Sequence, residues 1–428
     1  MEAACKDYLN ALGGFEYFKA NRFSSKLHKL SPSVGTILTR LATCEALYTS
    51  LAFLKPKFFR RENFLNILYA TIGNDAIKEA KVLFSGGSPT PVESAASAFL
   101  NQLCRALNDL AIIRQEQINI YRSLSGESVG TKYEAVRDKI SNIQTRLQQM
   151  PLGESLGLLS YVLKKELDVL YHIFSTQIAL GEYNFKKSTV NLYLAKNELF
   201  EWKKACSLSE AQDRNTRPFR NTPILPNNLS WTTQFINGLM SKMTLYFQET
   251  LLEKERSIGG ELKTLWKRVE PDYSTFISLI YEVTPDKPFH KKGHVFLTGK
   301  YEAPSGLMSF PCIYSYPEVT LSFVLIRVIQ LCNLCVPKNP PYEHWPNLIS
   351  IMQTNDISLS SIRTTYVHFY DKKVGSTYYL IRADAQITLA VIFLDKHMSP
   401  ENNTVEFMRF MARHLRNVEI FEMMSKME

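Results

Sequence analysis

The chain has 428 residues and a formal net charge of +9, and its 45% share of hydrophobic residues suffices for cores in two or three domains. Its seven cysteines are scattered and odd in number, which argues against a disulfide framework and predicts a reducing compartment. Residues 1–5 lack a basic region followed by an apolar core, so no secretory signal is predicted.

The first half of the chain predicts an antiparallel α-helical bundle. Leu100, Leu103, Leu107 and Leu110 fall on one helical face, and two later segments repeat apolar residues at steps of three and four. Helices with one apolar face must bury it against each other. The later stripes are Tyr133, Val136, Ile140, Ile143 and Leu147, then Leu159, Leu163, Leu167, Leu170 and Phe174, and further helices are predicted over residues 37–54, 61–84, 190–205 and 231–254.

Glycine, proline and polar residues mark the breaks between these helices. Residues 85–91, SGGSPTP, separate two helices. The longest polar linker is predicted at residues 207–228, which hold three prolines among asparagine, threonine and arginine. We therefore assign residues 1–255 to the helical bundle, with this linker inside it.

The chain changes character near residue 271 and predicts a small mixed α/β domain over residues 261–428. Two segments rich in β-branched and aromatic residues flank the polar break at residues 383–386. The predicted elements are a helix over 272–283, a strand over 294–298, a strand over 348–352, a helix over 359–370, strands over 377–382 and 387–394, and a helix over 403–416. The fold class is α+β, and the order of elements is similar to that of roadblock and longin domains, which usually serve as docking surfaces for GTPases and their regulators.

Several short motifs have catalytic or metal spacing, and none is completed. The segments around Ser128 and Ser155 match the nucleophile-elbow pattern, but that chemistry needs a strand before the serine, and both segments lie in a helical region. We find no phosphate-binding loop or dinucleotide fingerprint. The pairs Cys332 and Cys335, and His290 and His294, have metal spacing without further ligands. We predict no enzymatic activity, no cofactor and no metal.

The pair of His368 and Asp371 and two tryptophans each admit two interpretations. His368 and Asp371 lie on or near the helix predicted over residues 359–370. They either form a hydrogen bond on the helix surface or act as a general base and the carboxylate that orients it. No nucleophile is evident beside them. Trp345, directly after His344, begins a predicted strand and is either a core side chain or an interface anchor, because tryptophan is favoured at binding hot spots. Trp202, at the end of a long helix, has the same two interpretations.

The basic residues form four clusters, at residues 55–61, 203–204, 214–220 and 287–300. Such clusters attract an acidic partner or an anionic membrane face, or they are ordinary solvated surface. None is as dense as a polybasic anchor. Because no recognition motif accompanies the charge, nucleic-acid binding is not predicted.

A series of short motifs runs along most of the chain. The motifs are ELDVL at 166–170, VNL at 190–192, YF at 246–247, LKTL at 262–265, EAP at 302–304, HWPN at 344–347, VHFYD at 367–371, STY at 376–378 and VIF at 391–393. In this order they make the chain resemble the KICSTOR subunit 2 family, the small soluble subunit of the KICSTOR complex. The match is weakest in the first hundred residues.

This resemblance implies a non-enzymatic adaptor that is cytoplasmic and reaches the lysosomal membrane only through its partners. Those partners are a large scaffold subunit, kaptin and an integrin-repeat propeller subunit. The complex recruits the GATOR-type complex, which activates GTP hydrolysis on Rag GTPases and so restrains mTOR signalling when amino acids or glucose are scarce. The alternative is a longin or roadblock-type trafficking adaptor unrelated to nutrients. The candidate partner-interface residues are His344, Trp345, Pro346, His368, Tyr370 and Asp371.

Residues 320–340 depart from the pattern of this family, in which a short polar linker precedes His344. Residues 319–336 are nearly apolar for eighteen residues but contain Arg327, so a membrane anchor is not predicted. An inserted loop, an extra buried element or an error in the gene prediction would each account for this apolar insertion.

Overall fold

The structure is a computed structural model. It describes residues 2–55, 63–85, 91–126, 133–150, 152–214, 225–252, 275–284, 304–316, 341–360 and 365–426. The chain forms two compact units. The first contains residues 1–175, 191–236 and 420–428, and the second contains residues 176–190 and 237–419. The chain passes from one unit to the other within helices. The domain boundary between residues 255 and 261 stays a prediction.

The N-terminal half is helical, as its apolar stripes predict. Contacts between side chains show that some neighbouring helices run antiparallel. The helices are α1 Glu2–Gly13, α2 Tyr17–Leu30, α3 Pro32–Thr49, α4 Phe64–Ser85, α5 Pro91–Gly126, α6 Tyr133–Gln149, α7 Leu152–Leu156, α8 Leu158–Gly181, α9 Phe185–Arg214, α10 Asn227–Tyr246 and α11 Gln248–Leu252.

Helices α2 and α3 form a tight antiparallel hairpin joined through Ser31. Thr39 on α3 donates a hydrogen bond to Ser24 on α2 at 3.0 Å. A Cβ atom on Gly35 would lie 2.3 Å from the Cα of His28, so only glycine permits this approach of the two backbones. Helices α8 and α9 also run antiparallel, because Lys165 lies opposite Glu198 and residue 172 lies opposite residue 191.

Several helix boundaries differ from the predicted ones. Helix α3 covers Pro32–Thr49 where residues 37–54 were predicted, and α10 covers Asn227–Tyr246 where residues 231–254 were predicted. Helix α9 begins at Phe185, five residues earlier than predicted, where the Asn184 side chain accepts a hydrogen bond from the backbone of Lys187. This is a helix-start signal that the apolar pattern does not contain. The helix continues to Arg214, so the first part of the predicted linker over residues 207–228 is helical.

The second unit contains a five-stranded antiparallel sheet. Strands β4 and β5 form a hairpin with Asp384 paired to Ile387, which confirms the predicted break at residues 383–386. The sheet order is β2-β1-β5-β4-β3, so the first strand lies beside the last. The strands are β1 Thr275–Tyr281, β2 Cys312–Tyr316, β3 Tyr366–Asp371, β4 Ser376–Asp384 and β5 Ile387–Phe393.

Three predicted elements of this region were wrong. The helix predicted over 272–283 is strand β1, whose seven residues are all buried. The strand predicted over 348–352 belongs to helix α12, Trp345–Thr354, which has Pro346 in its first turn. The helix predicted over 359–370 is replaced by the end of α13, Asp356–Ser360, and by strand β3. Short apolar runs do not distinguish a buried helix from a buried strand, and this ambiguity accounts for the first two errors.

Helices cover both faces of the sheet. On one face, α12 and α13 pack against β1, β4 and β5 in a buried cluster that includes Trp345 and Leu359. On the other face, helix α14, Asn402–Leu415, contacts β3 and β4, and the Arg409 guanidinium lies 5.4 Å from the Tyr366 ring. The predicted helix over 403–416 is thereby confirmed. A last helix, α15, covers Val418–Lys426.

Several predictions concern residues outside the described ranges. They are the strand over 294–298, the apolar insertion over 320–340, the basic clusters at 214–220 and 287–300 apart from residue 214, most of the cluster at 55–61, and the motifs at Ser128, His290 and Cys332. Among the helices that are described, none combines the length and apolar character needed to cross a bilayer.

Candidate partner interface and buried polar clusters

The first two candidate interface residues are buried. His344 is 4% exposed and Trp345 is 2% exposed. The Trp345 indole N–H donates to the carbonyl oxygen of Phe310 at 2.7 Å, and its ring packs in the cluster below the sheet. Of the two interpretations of Trp345, the structure supports the core side chain. Trp202 is fully buried as well.

A chain of hydrogen bonds connects His344 to Asp371. The Asn347 amide donates to the Tyr378 hydroxyl oxygen at 3.1 Å and to a carboxylate oxygen of Asp371 at 3.0 Å. The Tyr378 hydroxyl lies 2.8 Å from Nδ1 of His344. Because Tyr378 already accepts from Asn347, it is assigned as the donor to a neutral imidazole. Burial lowers the pKa of His344, which agrees with the neutral form.

His368 and Asp371 do not contact each other in the way a catalytic pair would. Nε2 of His368 lies 3.1 Å from the carbonyl oxygen of His397, so this nitrogen carries the proton and donates. Asp371 instead fixes the turn after β3, since its Oδ1 accepts from the backbone N–H of Lys373 at 2.7 Å. Both side chains therefore hold local structure, and burial lowers the pKa of His368.

Strand β3 carries the more exposed part of the candidate set. It is an edge strand, which pairs only with β4 among the described residues. Strand β4 is buried almost throughout, but Phe369 on β3 is 45% exposed and Tyr370 is partly exposed. Pro346 is also exposed. Edge strands with exposed aromatic residues suit addition of a strand from a partner.

The helical unit contains a buried charge cluster that the sequence analysis did not identify. Arg114 on α5 lies between Glu45 on α3 and Glu166 on α8, and all three are at most 2% exposed. The guanidinium binds both oxygens of Glu45, at 2.9 and 2.8 Å, and one oxygen of Glu166 at 2.8 Å. Its carbon lies 4.1 Å from the centre of the Tyr48 ring.

Arg114 carries one positive charge against two carboxylates, and hydroxyl and amide groups donate further hydrogen bonds to the carboxylate oxygens of Glu45 and Glu166. Tyr69 donates to Glu45 at 2.8 Å, and Tyr48 and Tyr121 each donate to Glu166 at 2.9 Å. Burial, together with these carboxylates, raises the pKa of all three tyrosines well above the usual range. The phenols therefore remain protonated donors. The Asn228 amide on α10 also donates to Glu166, at 3.2 Å. This arrangement crosslinks five helices and leaves the carboxylates little access to solvent.

The second unit has its own buried ion pair. Lys242 on α10 is fully buried and binds Asp384, the acidic residue of the polar break between β4 and β5. The Tyr246 hydroxyl donates to the same carboxylate oxygen at 3.1 Å. Asp384 thus attaches the sheet to a helix, which explains a charged residue at that hairpin.

The one nucleophile-elbow motif whose serine is described lacks the required geometry. Ser155 lies in the short helix α7 with no strand before it, and its hydroxyl is buried. It lines a cavity of about 290 Å³ between α5 and α7, beside Arg105 and Asp109. No group of three or more histidine, cysteine or acidic side chains in the described chain is placed to hold a metal.

Comparison with known proteins agrees with the motifs noted in the sequence. A family model described as KICSTOR complex C12orf66 like matches residues 3–324 and 327–426. A curated Xenopus laevis protein named KICSTOR subunit 2 is 26% identical over 447 residues, covering 97% of this chain and 94% of that protein. A Danio rerio protein of the same name is 24% identical over 449 residues, covering 98% and 94%. Because the family model matches nearly the whole chain, through both the helices and the sheet, this chain belongs to the KICSTOR complex C12orf66-like family.

Proposed function

We propose that the chain is a non-enzymatic adaptor subunit of the KICSTOR complex. In this role it joins a large scaffold subunit, kaptin and an integrin-repeat propeller subunit, and the assembly tethers the GATOR-type complex at the lysosomal surface. Tethering raises the local concentration of that regulator near Rag GTPases, and so restrains mTOR signalling during amino-acid or glucose starvation. Lysosomal residence comes through partners.

The observation that carries this proposal is the family match over nearly the whole chain. The internal chemistry supports it. The buried polar groups of the helical unit, chiefly Arg114 and its two carboxylates, are matched to each other rather than directed at an open pocket. A cluster of this kind holds helices in a fixed arrangement, as an adaptor surface requires.

Strand β3 is our proposed contact with a partner of the complex. Its outer edge, which is unpaired among the described residues, carries Phe369 and Tyr370 and ends at Asp371, which accepts a hydrogen bond from Asn347, the residue after the exposed Pro346. His344 and Trp345 support this surface from beneath, because they hold α12 against β4 and against the segment before β2. A partner strand would pair with the edge while its side chains contact the aromatic rings.

Co-purification from cells that lack the endogenous chain tests both statements. The tagged wild-type chain should bring down the large scaffold subunit, kaptin and the propeller subunit, and its failure to do so contradicts membership. Phe369→Glu should reduce recovery of at least one subunit. Met308→Glu is the matched control, because Met308 is 74% exposed next to β2, at the opposite edge of the same sheet.

Melting temperatures of the purified variants separate contact from folding. Phe369→Glu with unchanged melting and unchanged recovery of every subunit removes β3 as the contact. Trp345→Ala should lower the stability of the sheet unit by about 3–5 kcal/mol, because it deletes a buried indole. Lost assembly in that variant is therefore attributed to unfolding.

A trafficking adaptor of the longin or roadblock type is the second candidate. The observation that favours it is the sheet itself, which contains two strands, a helix region and three further strands, with helices on both faces. Domains of that class dock GTPases and their regulators. Partner identity separates the two candidates, because recovery of coat or tether proteins without KICSTOR subunits supports the second.

A further inference from the structure

Helix α2 has an unusually one-sided charge. Its fourteen residues contain Lys19, Arg22, Lys26 and Lys29, and no aspartate or glutamate. The side that packs into the bundle is small and apolar, formed by Ala20, Ser24 and Leu27. All of the charge therefore lies on the outer side.

The outer side also carries exposed apolar residues. Phe18 is 89% exposed and Leu30 is 59% exposed. Residues 18, 22, 26 and 29 follow one another at steps of four, four and three, so Phe18, Arg22, Lys26 and Lys29 form one stripe along the helix. We call these four residues the α2 stripe. An exposed aromatic residue with arginine beside it is typical of binding hot spots.

The cations of the α2 stripe have no carboxylate partners among the described residues. Lys19, beside the stripe, pairs with Glu16 at 2.9 Å. By contrast, Lys26 has only the Phe23 ring, 5.5 Å from its Nζ atom. On the neighbouring helix α3, by contrast, Arg40 pairs with Asp75 at 2.7 Å. The stripe is therefore positive without local compensation.

We propose that the α2 stripe binds an acidic amphipathic helix of a protein partner. Carboxylates on such a helix, spaced at three and four residues, would face Arg22, Lys26 and Lys29, while an apolar side chain covers Phe18. This inference rests on the proposed function, since it names the chemistry of one partner of the adaptor. The surface is separate from strand β3, so the two contacts are tested independently.

The composition of the stripe favours a protein over a membrane. The side of α2 that contains Ala20 and Leu27 is already buried in the bundle, and the exposed Phe18 and Leu30 alone do not form a continuous apolar face that could insert into a bilayer. Three unpaired cations are also fewer than the roughly four to eight of a typical lipid-binding cluster. A rigid helix with fixed charge spacing matches another helix better than a fluid surface.

A peptide titration with the full chain tests the proposal directly. The probe is a fluorescent amphipathic helical peptide with leucine on one side and glutamate beside it, and its lysine counterpart is the negative probe. Binding of the acidic peptide, followed by anisotropy, should weaken from about 50 to about 300 mM salt. Arg22→Glu with Lys26→Glu should weaken it at least about tenfold, because attraction becomes repulsion.

Two further variants make this result specific. Lys196→Glu with Lys204→Glu on α9 changes the net charge equally at exposed positions and should alter binding by less than about twofold. Phe18→Ser should weaken binding at low and high salt alike. Equal loss in both double variants, or no binding of the acidic peptide by the wild type, overturns the proposal. So does binding to phosphatidylserine vesicles in preference to the peptide, which would identify a lipid surface.

Co-purification in cells then distinguishes this inference from the proposed function. Suppose that the wild type recovers KICSTOR subunits, and that the α2 double variant fails to recover one subunit that the α9 double variant does recover. Both the proposed function and the α2 inference are then supported. If both double variants recover every subunit, the α2 inference fails and membership stands. If the wild type recovers none, membership fails, and the peptide titration alone decides whether α2 binds an acidic helix.

Discussion

Replacing Arg114 by methionine should destabilise the helical unit more than any exposed charge replacement. Methionine keeps an unbranched apolar side chain but removes the guanidinium and its hydrogen bonds to Glu45, Glu166 and Gln117. Two carboxylates that are at most 2% exposed would then lack their cation. Removing one partner from a buried ion pair costs about 3–5 kcal/mol. That is a large fraction of the roughly 5–15 kcal/mol that stabilises a typical domain.

Urea unfolding followed by circular dichroism at helical wavelengths measures this loss. The matched control is Arg40→Met, because the pair of Arg40 and Asp75 is equally short at 2.7 Å but about half exposed. Exposed pairs contribute about 0–1 kcal/mol, so the control should change the unfolding free energy by no more than this. An Arg114→Met variant as stable as the control would refute the argument from burial.

A charge-free version of the cluster separates lost charge balance from lost packing. Arg114→Met combined with Glu45→Gln and Glu166→Gln removes all three charges while the tyrosine hydroxyls keep acceptors. Buried ion pairs replaced as a set often cost little, because no unpaired charge remains. The triple variant should therefore be more stable than Arg114→Met alone. If the triple variant is less stable than the single one, the cluster acts through shape rather than charge.

Three further outcomes are expected from the described contacts. Tyr378→Phe should lower the unfolding free energy of the sheet unit by about 1–3 kcal/mol because it breaks a buried hydrogen-bond chain, whereas Tyr370→Phe at the partly exposed edge should have little effect in the same melts. Burial lowers the pKa of His344 below its ordinary 6.5, so the unfolded chain binds a proton that the folded chain does not. Stability should be fully present above pH 6.5 and fall as the pH drops below it, and His344→Asn should flatten this slope in unfolding measured across pH. Gly35→Ala should destabilise the α2–α3 hairpin by about 1–3 kcal/mol, and Gly181→Ala, which meets no atom within 4 Å, should not.

The sequence predicted elements well where a pattern is long or a turn is explicit. The leucine stripe from Leu100 to Leu110 spans three helical turns, and it lies in α5 as expected. The polar break at residues 383–386 lies between two β-rich runs and forms the predicted hairpin. The helix from residue 403 begins after the Pro400 and Glu401 signal and was predicted to within one residue at each end.

Two of the three errors fall where apolar runs are short and largely buried. Strand β1 has no alternation because both of its faces are covered, so its sequence does not distinguish a strand from a helix. Helix α12 has the same ambiguity around Ile349, and only its place against the sheet selects the helix. The residues of strand β3 follow a polar segment, and the prediction assigned them to the helix that precedes this segment.

The sequence by itself determined the helical bundle, the hairpin of β4 and β5 and the family, because each depends on local periodicity or on the order of motifs. Only the tertiary structure decided that Arg114 meets Glu45 and Glu166, since these residues are 69 and 52 positions apart along the chain. It also decided that Trp345 is core and that the cations of the α2 stripe lack carboxylate partners among the described residues. Burial and pairing are properties of neighbours in space, and no local pattern records which distant side chains those neighbours are.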